Sequence, residues 1–178
     1  MCDSPPEPAG VEAGLAMLDR ALDALNAGEV TSLPAAVQAR ALRTLERAEA
    51  KHTAARARIL AAFAAQGGYE DDGQGSARVW LRWQTRVTSG AAAGTVAWMK
   101  RLTAHPVVAQ ALAAGEISRS WAQAFCSWND RLPAGRRDDA DTILTSAATA
   151  GADLTGLAGL AREMYERSCA DGPRLRAR

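Results

Sequence analysis

The stretch ALAAGEISRSWAQA, residues 111 to 124, governs how the rest of the chain is read. Ala111 to Ala114 has helix-forming composition, Gly115 can take the left-handed conformation that ends a helix, and Ser118 can cap the next one. Only Glu116 and Ile117 lie between the two signals, which leaves room for a corner between helices and none for a strand. Residues 76 to 94, SARVWLRWQTRVTSGAAAG, repeat the pattern with a helix opened at Ser76, a turn from Thr85 to Ser89, and another helix. Two helix–turn–helix units in succession suit entry into a DNA groove, and suit equally a bundle turning its corners.

The composition agrees with a helical chain. Alanine makes up about a quarter of the 178 residues, and 48% of the side chains are apolar. Alanine is the best helix former, and no alternating run long enough for a strand is present. The fold expectation is therefore all-α, with a long N-terminal helical hairpin and a compact multi-helix bundle with helix-turn-helix-like units. Residues 1–9 read as a disordered tail, 10–167 as a single helical domain (hairpin 10–66, bundle 76–167), and 168–178 as a tail or linker.

Within the hairpin, Val11, Leu15, Leu18, Leu22 and Leu25 fall on one face of a helix that stops at Gly28. Ser32 is the expected cap of a second helix of about 33 residues, with Pro34 in its first turn. Its expected buried face is Val37, Ala41, Leu45, Ala48, Ala55, Ile59 and Phe63. Arg40, Arg47, Lys51 and Arg58 then form a polar side that is read as solvated. The loop GGYEDDGQG, residues 67 to 75, is acidic but lacks the spacing of a calcium loop. Asp138, Asp139 and Asp141 read as a solvated first turn of a helix starting at Pro133.

The formal net charge is +1, so no global basic field points to a polyanion. Locally the balance differs. Between Ser76 and Trp128 lie Arg78, Arg82, Arg86, Lys100, Arg101 and Arg119 against the single acid Glu116, six positive less one negative, or +5. All five tryptophans are in the same window. Arginines at steps of four can contact successive phosphates, although tryptophans more often fill a core. Arg78, Arg82, Arg86, Arg101, Arg119 and Gln123 are the candidate nucleic-acid contacts. The helix after Ser89 carries no charged or amide side chain from Gly90 to Trp98, so its small residues suit packing against another helix.

Enzyme signals are weak. The chain has no phosphate loop, nucleophile elbow or HExxH, and its two histidines, His52 and His105, lack neighbouring ligands in sequence. Three scattered cysteines make no zinc pattern. No catalytic residue, metal or cofactor is expected. Absence of a signal peptide and of an apolar span points to the cytoplasm.

Residues 38 to 167 resemble the domain of unknown function 222, or 13E12-repeat, family of actinobacteria. The resemblance is carried by GGYEDDGQGSARVWL and ALAAGEISRSWAQA, in the family's order and separation. The GEIS turn and its following helix are also similar, over a short stretch, to the helix-turn-helix region of partition-type DNA-binding proteins. The family resemblance implies a helical domain of the kind that precedes HNH nuclease domains, whose histidine-rich site this chain does not contain. The expected function is a nucleic-acid-binding or targeting module without a catalytic site, with DNA as partner and no membrane. The alternative is a protein-interaction or oligomerisation module, with a homodimer through the long helices.

Overall fold

The structure, a computed structural model, describes residues 10–170, so the expected tail 1–9 and residues 171–178 lie outside the described residues. The fold is all-α. Eight helices account for its regular structure, with no strand among the described residues. They are α1 (Gly10–Ala27), α2 (Ala35–Ala65), α3 (Ala77–Gln84), α4 (Ser89–Ala104), α5 (Pro106–Ala114), α6 (Arg119–Asn129), α7 (Ala134–Thr149) and α8 (Leu154–Ala170). The chain divides into two compact units between Leu42 and Arg43, within α2.

In the first unit, α1 buries none of its residues. Its leucine stripe faces solvent: Leu15, Leu18, Leu22 and Leu25 are between 38% and 54% exposed. The turn after α1 is tied to the start of α2 by the Gln38 side-chain amide, which donates to the Val30 carbonyl at 3.0 Å. Ser32 is not the cap of α2. It lies in the turn, and the Pro34 carbonyl accepts the first helical bonds, from the N–H groups of Val37 and Gln38.

In the second unit the helix boundaries follow local chemistry. Ser76, Thr88 and Ser118 each accept a hydrogen bond from the backbone N–H three residues on, capping α3, α4 and α6. Pro106 opens α5, where its missing N–H costs nothing. Gly115 closes α5 at φ +75°, and the Glu116 N–H reaches back to the Ala111 carbonyl. A side chain at Gly115 would be strained by that φ and would also meet Lys51 Cε at 3.0 Å. Gly68 is needed for a different reason. A Cβ there would sit 2.6 Å from the Phe63 ring.

The main core joins Ala50, Ala54 and Ala57 of α2 with Leu102, Val108, Leu112, Phe125, Leu144 and Leu157. Alanines let the long helix approach closely, and the larger side chains of α5 to α8 fill the middle. A smaller cluster sets Leu60, Ala77, Leu81 and Ala92 against Phe63 and Trp80. The buried face of α2 differs from expectation. Leu45 and Ile59 are 42% and 46% exposed, while Ala50, Ala54, Ala57 and Leu60 are shut away. The two faces are two residues apart in phase, about 200° around the helix. Phe63 alone of the expected set packs on a core cluster. In α8, Leu157 and Ala161 are buried, and Leu160 and Met164 pack against them.

Candidate functional site

Three grooves border α4, and two of them hold candidate contacts. One lies between α2, α4 and the start of α6 and encloses about 320 Å³. Its α2 wall is Glu49, His52, Thr53 and Arg56, and its α4 wall is Ala91, Gly94, Thr95 and Trp98. Both sets recur at steps of three and four, so each is one helical face. The groove exists because the α4 wall is small: a Cβ at Gly94 would meet nothing within 4 Å. The small residues of α4 were expected to pack against a neighbouring helix. Ala92 does so at 0% exposure, whereas Gly90 and Gly94 face open space.

Arg119, the first residue of α6, closes this groove. Its guanidinium lies 5.6 Å from the centre of the Trp98 ring, and Nη1 is 3.5 Å from Glu49 Oε1. Stacking and pairing hold the side chain in place while leaving it about half exposed. Arg56 and His52, both exposed, stand on the facing wall. The result is two guanidinium groups, an imidazole, two threonines, an indole and the Glu49 carboxylate around one small cleft, the Thr95 hydroxyl donating to the Ala91 carbonyl at 2.9 Å. That donor set suits an anion with a planar neighbour, such as the phosphate and base of a nucleotide.

The second groove, about 490 Å³, lies between the end of α2, α3 and α4. Tyr69, Ser76, Arg78 and Lys100 line it, over Ala93, Val96 and Ala97. At 100° per residue these α4 positions are opposite to Gly94 and Trp98. Arg78 and Arg119 therefore stand on opposite faces of α4.

The six candidate contacts divide accordingly. Arg78 and Arg82 share an exposed face of α3, one turn apart. Arg82 stacks 4.9 Å from the Trp83 ring and its Nη1 donates to Ser89 Oγ at 3.4 Å. Trp83 is 61% exposed, unlike the core residue expected of a tryptophan. Arg86, also exposed, follows α3 with φ +54°. Gln123 is exposed one turn after Arg119. Arg101 stands apart from the grooves, with Nη2 at 3.7 Å from Asp130 Oδ2. The spacing of Glu49, His52 and Arg56 was visible in sequence. That their face meets the Trp98 face was not.

A second polar cluster is buried. His105, Asp141 and Asn129 are each at most 1% exposed. His105 Nδ1 donates to Asp141 Oδ2 at 2.9 Å, and Nε2 is 3.2 Å from Asp130 Oδ1. The Asn129 amide donates to Asp141 Oδ1 at 2.6 Å. Asp141 was expected in a solvated turn with Asp138 and Asp139. Those two are exposed, but Asp141 lies three residues further round and points inward. The bond to Asp141 raises the His105 pKa above its ordinary 6.5, burial opposes it, and Asp130 adds to the rise. Beside this cluster, burial pushes the Cys126 thiol up to about 12. The cluster ties the α4–α5 junction to α6 and α7.

In the acidic loop, Asp72 Oδ2 accepts the Trp80 indole N–H at 2.6 Å, which ties the loop to α3. No group of residues suited to a metal ion occurs among the described residues. No helix among them is long and apolar enough to cross a membrane. Comparison with family models, curated proteins and solved structures yields no match.

Proposed function

We propose that the chain is a nucleic-acid-binding or targeting module that works in the cytoplasm, takes DNA as its partner and has no catalytic site of its own. The observation that carries this reading is the groove in which Arg119 and Arg56 face each other beside Trp98. Arginine forks match phosphate oxygens, and an indole supplies a stacking surface that any base can use. Exposed Arg78, Arg82 and Arg86 add backbone contacts from α3, and Gln123 from α6. The resemblance to the 13E12-repeat family supports the same reading, since that domain accompanies HNH nucleases. Membership of that family is part of the proposal.

The test is fluorescence anisotropy of labelled duplex DNA over a salt series. Affinity should fall linearly on a log–log plot, and Arg119→Ala and Arg56→Ala should each lower the slope by about one. Unchanged affinity in both variants would remove the groove from the reading. Loss through Arg82→Ala alone would move the contact to α3.

A second reading, a protein-interaction or oligomerisation module, is favoured by α1, whose leucine stripe is exposed. A homodimer through the long helices belongs to that reading.

A further inference from the structure

We propose that the apolar face of α1 is a self-association seam, and that its occupant is α1 of a second copy of this chain, paired in parallel. The proposal rests on the oligomerisation reading and specifies its surface. Val11, Leu15, Leu18, Leu22 and Leu25 are separated by four, three, four and three residues. That alternation is a heptad, with Leu15 and Leu22 at a and Val11, Leu18 and Leu25 at d. No charged or polar side chain interrupts it. Of the fifteen large apolar side chains exposed among the described residues, ten lie between Val11 and Leu45. Such concentration marks a contact surface, whereas single exposed leucines need no explanation. The 18-residue helix spans about 27 Å, and a helix of that length is marginal in water without a packed face.

The flanking positions select both the partner and the direction. A heptad seam is complementary to a copy of itself, because each knob fits the hole between four like residues. Glu12, Asp19 and Asn26 occupy e, while Gly14, Ala21 and Gly28 occupy g. In a parallel pair e meets g, so Asp19 faces the second copy's Gly14 and Asn26 faces its Ala21. In an antiparallel pair e meets e, which sets Asp19 against Asp19 and adds a like-charge contact. The small g residues also let the two backbones approach.

Sedimentation equilibrium of the full chain, over a wide concentration range, should give a reversible monomer–dimer equilibrium. The double variant Leu18→Asp, Leu22→Asp should be monomeric throughout, with unchanged tryptophan fluorescence, since every tryptophan lies between residues 80 and 128. For direction, Val11→Cys in a Cys2→Ser, Cys169→Ser background should form a disulfide-linked dimer on mild oxidation, since Cys126 is buried. Antiparallel helices would hold the two introduced thiols roughly 20 Å apart. A wild-type chain that stays monomeric overturns the second copy as occupant and the oligomerisation reading together. A dimer unaffected by the double variant overturns the seam and leaves that reading in place. A seam-dependent dimer that does not cross-link overturns the parallel arrangement.

Discussion

In α1, Leu22 and Leu25 stand 45% and 52% exposed, while in the second half of α2 the side chains of Ala50 and Ala57 are 0% and 7% exposed. The more apolar residue is outside and the less apolar one inside. Burial here follows the company a helix keeps. Residues 43–170 hold seven helical segments that can close on one another, and alanine is what allows the backbone of α2 to come near. Residues 10–42 offer no such enclosure, so their leucines remain a surface. Hydrophobicity sets how much a helix gains from being covered, and says nothing of what covers it.

The contrast is most sharply tested in the bundle core. Phe125→Ala should cost about 3–5 kcal/mol in urea unfolding followed by tryptophan fluorescence, as expected for a fully enclosed aromatic. Asp141→Ala comes next, at about 3 kcal/mol, because it strands the His105 and Asn129 donors in the interior. A cost under about 1 kcal/mol would mean that water reaches the cluster.

The same cluster predicts a pH dependence. The folded His105 pKa is raised, so the stabilisation is complete below 6.5 and is lost as pH climbs through the folded value. Stability should therefore decline on the alkaline side of 6.5, and Asp141→Asn, which removes the main cause, should flatten that decline. A wild-type profile level across this window would contradict the arrangement.

Smaller effects separate groove from core. Gly94→Ala places a methyl in open space within a helix, so it should stabilise by about 0.5–1 kcal/mol. It also narrows the groove beside Trp98, so DNA affinity should fall while stability rises. Affinity that rises or holds would detach the groove from binding. Leu22→Ala should change bundle stability by less than about 0.5 kcal/mol in dilute protein, despite deleting a leucine. A loss comparable to that of Phe125→Ala would erase the distinction between the two units.

Much of the helix punctuation was legible in the chain. Ser76 and Ser118 cap where a hydroxyl was read as a cap, and Gly115 takes the left-handed conformation its position demanded. These are local decisions, made within four residues by backbone donors and acceptors. Ser32 falls short of the helix because α2 begins after Pro34, whose carbonyl accepts from the N–H groups of Val37 and Gln38. C-terminal extent was also underestimated, since α8 runs to Ala170 rather than stopping at residue 167.

The candidate site was legible only in parts. Arg119 was singled out for its place at a helix start, and it does line a groove. Arg56 carries no signal in the sequence and His52 reads only as a histidine without neighbouring ligands, since nothing in their own neighbourhood says which helix stands opposite. Arg101 looked equivalent to Arg119 by charge, yet it lies near Asp130, twenty-nine residues away. Asp141 looked equivalent to Asp138 until His105, thirty-six residues earlier, claimed it.

The sequence by itself determined that this protein is helical, where most helices begin and end, and that α1 carries its apolar residues on one face, because all three depend on residues within a few turns. Only the tertiary structure decided which face of alanine-rich α2 is buried. Alanine occurs on every side of that helix, so its faces differ little in transfer free energy, and the choice falls to the shapes of the helices that meet it.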